Sequence, residues 1–234
     1  MSIFRFKQFI IHQEKTQMKV GTDSIILGSA IKIKSKYKHI LDIGTGTGLL
    51  SLMIAQKSSN QEITAVEIDS NAYHQAKINI DKCKWRNKIN LIHTDAKLLE
   101  IDIKYDLILC NPPYFSKSKQ SIIISKNTAR HQVELTFKDL LNIWDKIGKD
   151  DSDLACIVPI IESKKLYKMV KSHGNYLTYY LEVRSNPNSN LKRAVMLFSK
   201  NKIETIKSEL CIHNNEGVYS KEYINMTKDF YLNH

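Results

Sequence analysis

The tetrapeptide Asn111-Pro112-Pro113-Tyr114 directly follows the apolar run Tyr105-Asp106-Leu107-Ile108-Leu109-Cys110. A strand therefore ends in a rigid turn. Two consecutive prolines fix φ and remove two backbone donors, and the first pushes Asn111 out of the helical region. What is left is a cluster of acceptors beside an aromatic ring, a fit for an exocyclic amino group on a planar system: acceptors for two N–H bonds and a flat face for stacking. Asn111, Pro112 and Tyr114 are the candidate catalytic residues; an ordinary strand-to-loop turn with a surface tyrosine is the competing reading.

A second constellation lies upstream. Ile40-Leu41-Asp42-Ile43 runs into Gly44-Thr45-Gly46-Thr47-Gly48, and an apolar helix begins at Leu49. Glycines at such a turn allow close approach of the backbone to a ligand, and the helix N-terminus beyond it offers unpaired N–H groups. A dinucleotide fingerprint requires Gly or Ala where this chain has Leu49, so hydride transfer is disfavoured and another adenosine ligand fits better. Asp42, just before the turn, would repel a pyrophosphate and attract a cationic amino-acid moiety. The next strand, Ile63 to Val66, ends at Glu67, placed to accept both hydroxyls of a ribose. Asp69 is more simply the cap of a helix from Ala72 to about Lys82, and Asp95, after a strand Lys88 to His93, falls where a loop reaches the adenine end of the same ligand.

These residues must be carried by alternating strands and helices, so we expect an α/β fold, an open and mostly parallel sheet with ligands at its carboxyl edge. Upstream, Phe4, Phe6, Phe9 and Ile11 suggest one short strand, and Thr22 or Asp23 can cap a helix from about Ser24 to Ile33. Capping alone does not account for the Lys19-Val20-Gly21 turn before it; Lys19, Gly21, Thr22 and also Asn111 join the candidate cofactor contacts.

The chain has 234 residues, 42% hydrophobic, with no Pro/Gly/Ser-rich linker, and we expect a single domain over 1–234 with an N-terminal extension (about 1–35) and a C-terminal helix (about 219–232). A formal charge of +11, from 35 Lys+Arg against 24 Asp+Glu, favours a polyanionic partner. Nucleic acid leads, a membrane surface follows, and a Lys-rich compositional bias is the bland alternative. Cysteines 83, 110, 156 and 211 show neither metal-ligand nor disulfide spacing, and the chain shows no signal peptide or membrane-length run, which suits a reducing cytoplasm and no metal.

Taken together, Asp42 to Gly48, Glu67, Asp95 and Asn111 to Tyr114 resemble the amino-group type of class I S-adenosylmethionine-dependent methyltransferases. More narrowly, Phe6-Lys7-Gln8-Phe9, Met18 to Ser24, Leu49-Leu50, Phe115, Ala129-Arg130-His131 and the ending Tyr219 to Leu232 resemble the bacterial tRNA1(Val) adenine-37 N6-methyltransferases over nearly the whole length. The resemblance implies a Rossmann-like, seven-stranded sheet with an antiparallel last strand, S-adenosyl-L-methionine as cofactor and the anticodon stem-loop of a tRNA as partner, with no obligatory protein partner. It implies that Gly44, Gly46 and Gly48 accommodate the cofactor and Asp42 its ammonium group or ordered water. Glu67 would hold its ribose and Asp95 its adenine amino group. The target adenine would stack on Tyr114 and donate its N6 hydrogens to Asn111 and Pro112. Lys117, Lys119 and Lys126 follow the catalytic turn, and with Lys7, Arg130 and His131 they are the candidate RNA contacts; a solvated loop and an Arg130–Glu134 ion pair are the alternatives.

Beyond Phe137 we expect a helix to about Ile147, a strand Leu154 to Pro159, a helix Glu162 to Ser172 and strands Tyr176 to Val183 and Arg193 to Phe198. Tyr176, Tyr179 and Tyr180 are either an RNA-stacking face or cross-strand packing. Three other functions share these motifs. A protein glutamine methyltransferase is disfavoured by charge and by the lack of a separate N-terminal helical domain, and a DNA adenine methyltransferase by the lack of a target-recognition domain. A non-catalytic RNA-binding protein would not need Asn111, Tyr114 and the glycine turn together.

Overall fold

The computed structural model describes residues 3–16, 18–112 and 135–232. A two-stranded hairpin, β1 (Ile3–Arg5) and β2 (Ile10–His12), precedes α1 (Thr22–Ala30). The aromatic alternation expected to make one strand is thus split: Phe6 and Phe9 sit in the turn region with stacked rings 4.6 Å apart, and they anchor the hairpin in the core. Then follow β3 (His39–Ile43), α2 (Leu49–Lys57), β4 (Glu62–Glu67), α3 (Ser70–Asp81), β5 (Ile89–His93) and β6 (Tyr105–Cys110). The second half holds α4 (Phe137–Ile147), β7 (Gly148–Pro159), α5 (Ile160–Ser172), β8 (Tyr176–Arg184), β9 (Leu191–Ser199), β10 (Ile206–Cys211) and α6 (Lys221–Thr227).

Among the described residues the large sheet has eight strands in the order β10-β8-β9-β7-β6-β3-β4-β5, and β9 alone runs antiparallel to its neighbours. The expected seven strands with one antiparallel strand are present, and β10 extends the edge by pairing parallel with β8. β3, β4 and β6 are buried along nearly their whole length, which is why they read as continuous apolar runs. Two apolar clusters cover the two faces. One gathers the hairpin, α1, α2, α3 and α6 (Phe6, Ile26, Met53, Ile80, Tyr223); the other gathers α4 and α5 (Leu141, Trp144, Leu166).

Two local expectations at α1 are corrected. Neither Thr22 nor Asp23 caps it: Gly21 holds the cap position with extended backbone and no side-chain cap bond, and the Asp23 carboxylate instead accepts from Arg193 Nε on β9 at 2.8 Å. The helix also stops at Ala30, short of Ile33, where Lys57 Nζ donates to the last-turn carbonyl of Gly28 (2.8 Å) and to that of Ile31. Burial pushes the Lys57 ammonium down to about 8. By contrast Asp69 caps α3 as expected, accepting from the Ala72 N–H at 2.8 Å. At the other end Ser220 caps α6, and Tyr223 and Phe230 are buried, although the helix itself ends at Thr227.

Among the described residues no helix is long and apolar enough to cross a membrane, and no group of three or more His, Cys, Asp or Glu side chains is arranged to hold a metal ion.

Candidate active site at the carboxyl edge of the sheet

Four neighbouring parallel strands, β5, β4, β3 and β6, end at the same edge of the sheet. The turn after β3 is pinned to β4 by Gly44 and Thr45 N–H groups donating to the Val66 carbonyl at 2.9 and 3.0 Å. Gly44 and Gly46 lie at φ +70° and +60°, and a Cβ built on either meets nothing within 4 Å. The left-handed backbone calls for glycine, and the space above the two residues is open, so a ligand can lie against the bare backbone. Gly48, at φ +80°, stands at the cap position of α2, so the first N–H groups of that helix face the same edge.

Glu67 ties this turn to the next strand. Its carboxylate accepts from the Gly46 N–H at 2.8 Å and from the Asp69 N–H at 2.9 Å. Burial raises its pKa against the lowering effect of the Asp69, Gly46 and Ile68 N–H groups. A carboxylate has about four acceptor positions, so two backbone bonds leave capacity for ligand hydroxyls. Asp42 lies deeper. It is buried beneath the turn, with Oδ2 accepting from the Thr45 and Ser51 hydroxyls, each at 2.6 Å. Burial pushes its carboxyl up to about 6, opposed by the two hydroxyls and reinforced by nearby Glu67. Asp95 follows β5, where its carboxylate accepts from the Lys97 N–H at 2.9 Å and pairs with Lys97 Nζ at 3.2 Å.

Asn111 emerges from β6 at this edge, and its amide Nδ2 donates to Ser24 Oγ of α1 at 2.8 Å. Pro112, buried, is the last described residue of this segment. The structure therefore brings together Asp42, the three glycines, Glu67, Asp95 and Asn111. Lys19 and Gly21, in the segment leading into α1, and Thr22, the first residue of that helix, are exposed. Tyr114, Lys117, Lys119, Lys126, Arg130 and His131 lie outside the described residues. Lys7 stands on the hairpin, where its Nζ donates to the Lys228 carbonyl at 2.6 Å.

Sequence reasoning passed over the residues that fasten the N-terminal arm. Asn79 and Gln75 are both 1% exposed on α3. Asn79 exchanges two bonds of 2.9 Å with the His12 backbone and also donates to the Thr47 carbonyl of the glycine turn at 2.9 Å, while Gln75 accepts from the Lys15 N–H at 3.1 Å. The arm, the turn and α3 are thereby one hydrogen-bonded unit. The available signal was two amides at i and i+4 on the helix face that also carries Ala72, Ala76 and Ile80. Ser51, in the first turn of α2, likewise carries no signature in the sequence, and its role is the bond to Asp42.

Comparison with known proteins agrees with this geometry. Residues 16–135 match the model of the family described as Methyltransferase small domain. The chain is 37% identical over 232 residues to the tRNA1(Val) (adenine(37)-N6)-methyltransferase of Flavobacterium psychrophilum, covering 98% of this chain and 99% of that protein. It is 38% identical to the enzyme of the same name from Pseudoalteromonas translucida, covering 99% of each. Among solved structures it resembles a predicted O-methyltransferase from Agrobacterium tumefaciens, with a TM-score of 0.69 at 15% identity over 89% of this chain and 96% of that one. It also resembles the hMettl16 catalytic domain solved in complex with the MAT2A 3'UTR hairpin 6, with a TM-score of 0.62 at 18% identity over 85% and 78% of the two chains. These two likenesses establish the class I methyltransferase fold.

Proposed function

Because the chain belongs to the tRNA1(Val) (adenine(37)-N6)-methyltransferase family, we propose that its carboxyl-edge site transfers a methyl group from S-adenosyl-L-methionine to N6 of adenine 37 beside a tRNA anticodon. The observation that carries this reading is the convergence, on one sheet edge, of an open glycine turn, a carboxylate tethered to it and an amide leading into two prolines. The chain acts as one methyltransferase domain in the cytoplasm, with tRNA as its partner.

The residues fit the cofactor on physical grounds. Above Gly44 and Gly46 a side chain would fill space that a ligand needs, and Glu67 offers acceptor capacity beside it for ribose hydroxyls. Asp42 puts negative charge under the turn, suited to an amino-acid ammonium, and Asp95 stands at the end of the next strand for an adenine amino group. When bound, S-adenosylmethionine supplies a methyl group activated by a sulfonium.

The work of the chain is to present the amine. With Nδ2 of Asn111 engaged by Ser24 Oγ, the acceptor of that amide is Oδ1, and the Pro112 carbonyl is the second acceptor for the N6 hydrogens. Two acceptors draw the nitrogen towards tetrahedral geometry and release a lone pair otherwise delocalised into the ring. Positioning and electrostatics account for the rate without a strong general base; the proton leaves to solvent after transfer. The base must first leave its stack, which costs a few kcal/mol and is easiest in a single-stranded loop. Tyr114 supplies the stacking face, and Lys117, Lys119, Lys126, Arg130, His131 and Lys7 contact the RNA.

Methyl transfer from labelled cofactor to total tRNA of cells lacking the protein, followed by digestion and nucleoside mass spectrometry, tests this. N6-methyladenosine in the anticodon fragment is the expected product. Label in a release factor or in DNA, with none in tRNA, would replace the substrate while keeping the fold.

A further inference from the structure

A groove of about 660 Å³ lies between α5 and β8, bounded by the loop joining β9 to β10. Tyr176 starts β8, which runs parallel to β6, so the end of the groove formed by Lys171, Tyr176 and Lys202 opens at the amino edge of the sheet, opposite the glycine turn. The groove follows α5 from Ser163 and Lys164 in its first turn to Lys171 near its end, so the Lys171 end lies roughly 16 Å along the helix axis from the carboxyl edge where α5 begins. The target base cannot occupy both places.

Its lining combines two kinds of group. Tyr167 and Tyr176, 40% and 39% exposed, are aromatic side chains that line the groove and are open to solvent. Tyr180 and Tyr179, by contrast, are half-buried and pack against the two core clusters. Lys164, Lys171, Lys202 and Lys207 surround the groove, all exposed and none in an ion pair among the described residues, against Glu204 as the one acidic lining residue. The walls are held in place without a ligand: Thr205 Oγ1 donates to the Leu177 carbonyl at 2.7 Å, and the Ser163 and Tyr180 hydroxyls are 3.1 Å apart.

We infer that this groove is a second RNA-binding site, which takes a phosphodiester segment of the substrate tRNA remote from the target adenine. The inference rests on the tRNA reading above. Lysines neutralise phosphates, and the tyrosine faces accept an unpaired base without sequence preference. An acidic protein partner would satisfy the charges but leave the aromatic faces unexplained.

The test compares wild-type protein with the combined Lys171→Gln/Lys202→Gln/Lys207→Gln variant, Tyr176→Ala, and a charge-matched control, Lys32→Gln/Lys38→Gln/Lys146→Gln, changed at exposed lysines elsewhere. Binding of full-length tRNA is followed by fluorescence anisotropy over a salt series, with cofactor affinity as the check on folding. The groove variant is expected to bind tRNA at least tenfold more weakly, with its salt slope reduced by roughly 2 to 3, at about 0.7–0.9 for each phosphate no longer neutralised. Tyr176→Ala is expected to weaken binding about tenfold with an unchanged slope. Equal weakening in the groove variant and the control overturns the inference, as does an unaltered affinity in the groove variant. Binding of polyglutamate that is abolished in the groove variant, while tRNA binding persists, assigns the groove to an acidic protein instead. Wild-type protein that binds no tRNA overturns the substrate reading and this inference together, an outcome distinct from variants that bind as wild type.

Discussion

Adding one methyl group at Gly46 separates the backbone demand of the turn from its ligand demand. Gly46 lies at φ +60° and Gly217, in a surface turn far along the chain, at φ +78°; a Cβ at either meets nothing within 4 Å. In Gly46→Ala and Gly217→Ala the only cost to folding is therefore the left-handed backbone of an L-residue, roughly 1–2 kcal/mol. For a chain of this size each kcal/mol lowers Tm by about 2–4 °C, so both variants should melt some 2–8 °C below wild type. They should part company on the cofactor. In Gly46→Ala the added methyl would occupy the space above the turn while the N–H bond to Glu67 is retained, and S-adenosylmethionine should bind at least tenfold more weakly, about 1.4 kcal/mol or more. Gly217→Ala should bind it as wild type does. Differential scanning fluorimetry and isothermal titration calorimetry on the same preparations give both quantities. Equal stability loss with equal cofactor affinity in the two variants would refute the assignment of the turn as the cofactor cradle.

Asn111→Ala should lower single-turnover methyl transfer by at least 10²–10³-fold, with tRNA affinity retained, because it removes an acceptor needed as N6 becomes nucleophilic; undiminished turnover refutes the pocket. Asp42→Asn is tested by pH. The folded carboxyl titrates near 6, above its ordinary value of 3.8, so the native state holds the proton more tightly than the unfolded chain. Its contribution is fully present below the unfolded value and is lost as pH rises through about 6, worth about 3 kcal/mol by neutral pH. The difference in unfolding free energy between variant and wild type should therefore shift in favour of the variant from pH 4 to 7, by chemical denaturation, while cofactor affinity falls; a difference flat in pH would contradict the burial of that carboxyl. Asn79→Ala strips three hydrogen bonds from the arm and the glycine turn and leaves the His12 N–H unpaired, so a loss of about 2–3 kcal/mol in urea is expected with a raised KM for the cofactor. A change confined to stability would show that the arm does not shape the cofactor site.

The site was legible where chemistry and local backbone coincide. Three glycines in alternation after a buried strand can serve few purposes, and their positive φ angles follow from residue type. Strand β6 is bounded as expected, at Tyr105 and Cys110, because a strand buried on both faces announces itself as an apolar run stopped by prolines. The cap at Asp69 is a local bond across three residues, within reach of any reading of the chain. β10 was missed for the converse reason. It is an edge strand whose residues are exposed from Ile206 to Glu209, with Leu210 buried, so it carries no hydrophobic period and exists through its pairing with β8. The polar start of β7, Gly148 to Ser152, was passed over on the same account: its irregular register against β6 is a property of the pair.

By itself, then, the sequence determined the glycine turn, the acidic residues that follow successive strands, the amide before two prolines and the family to which they point. These are short-range patterns, set by what each residue type permits its own backbone to do. Only the tertiary structure decided that Asp23 reaches Arg193 and leaves the cap to Gly21, that Ser24 holds Asn111 and Ser51 holds Asp42, and that Asn79 joins the arm to the turn. Most of these contacts link residues tens of positions apart, and even the Ser51–Asp42 bond crosses the turn from helix to strand. A side-chain hydroxyl or amide has many local partners open to it; which one it takes is settled when packing of the apolar faces brings a distant group within about 3 Å and excludes the water that would otherwise have served.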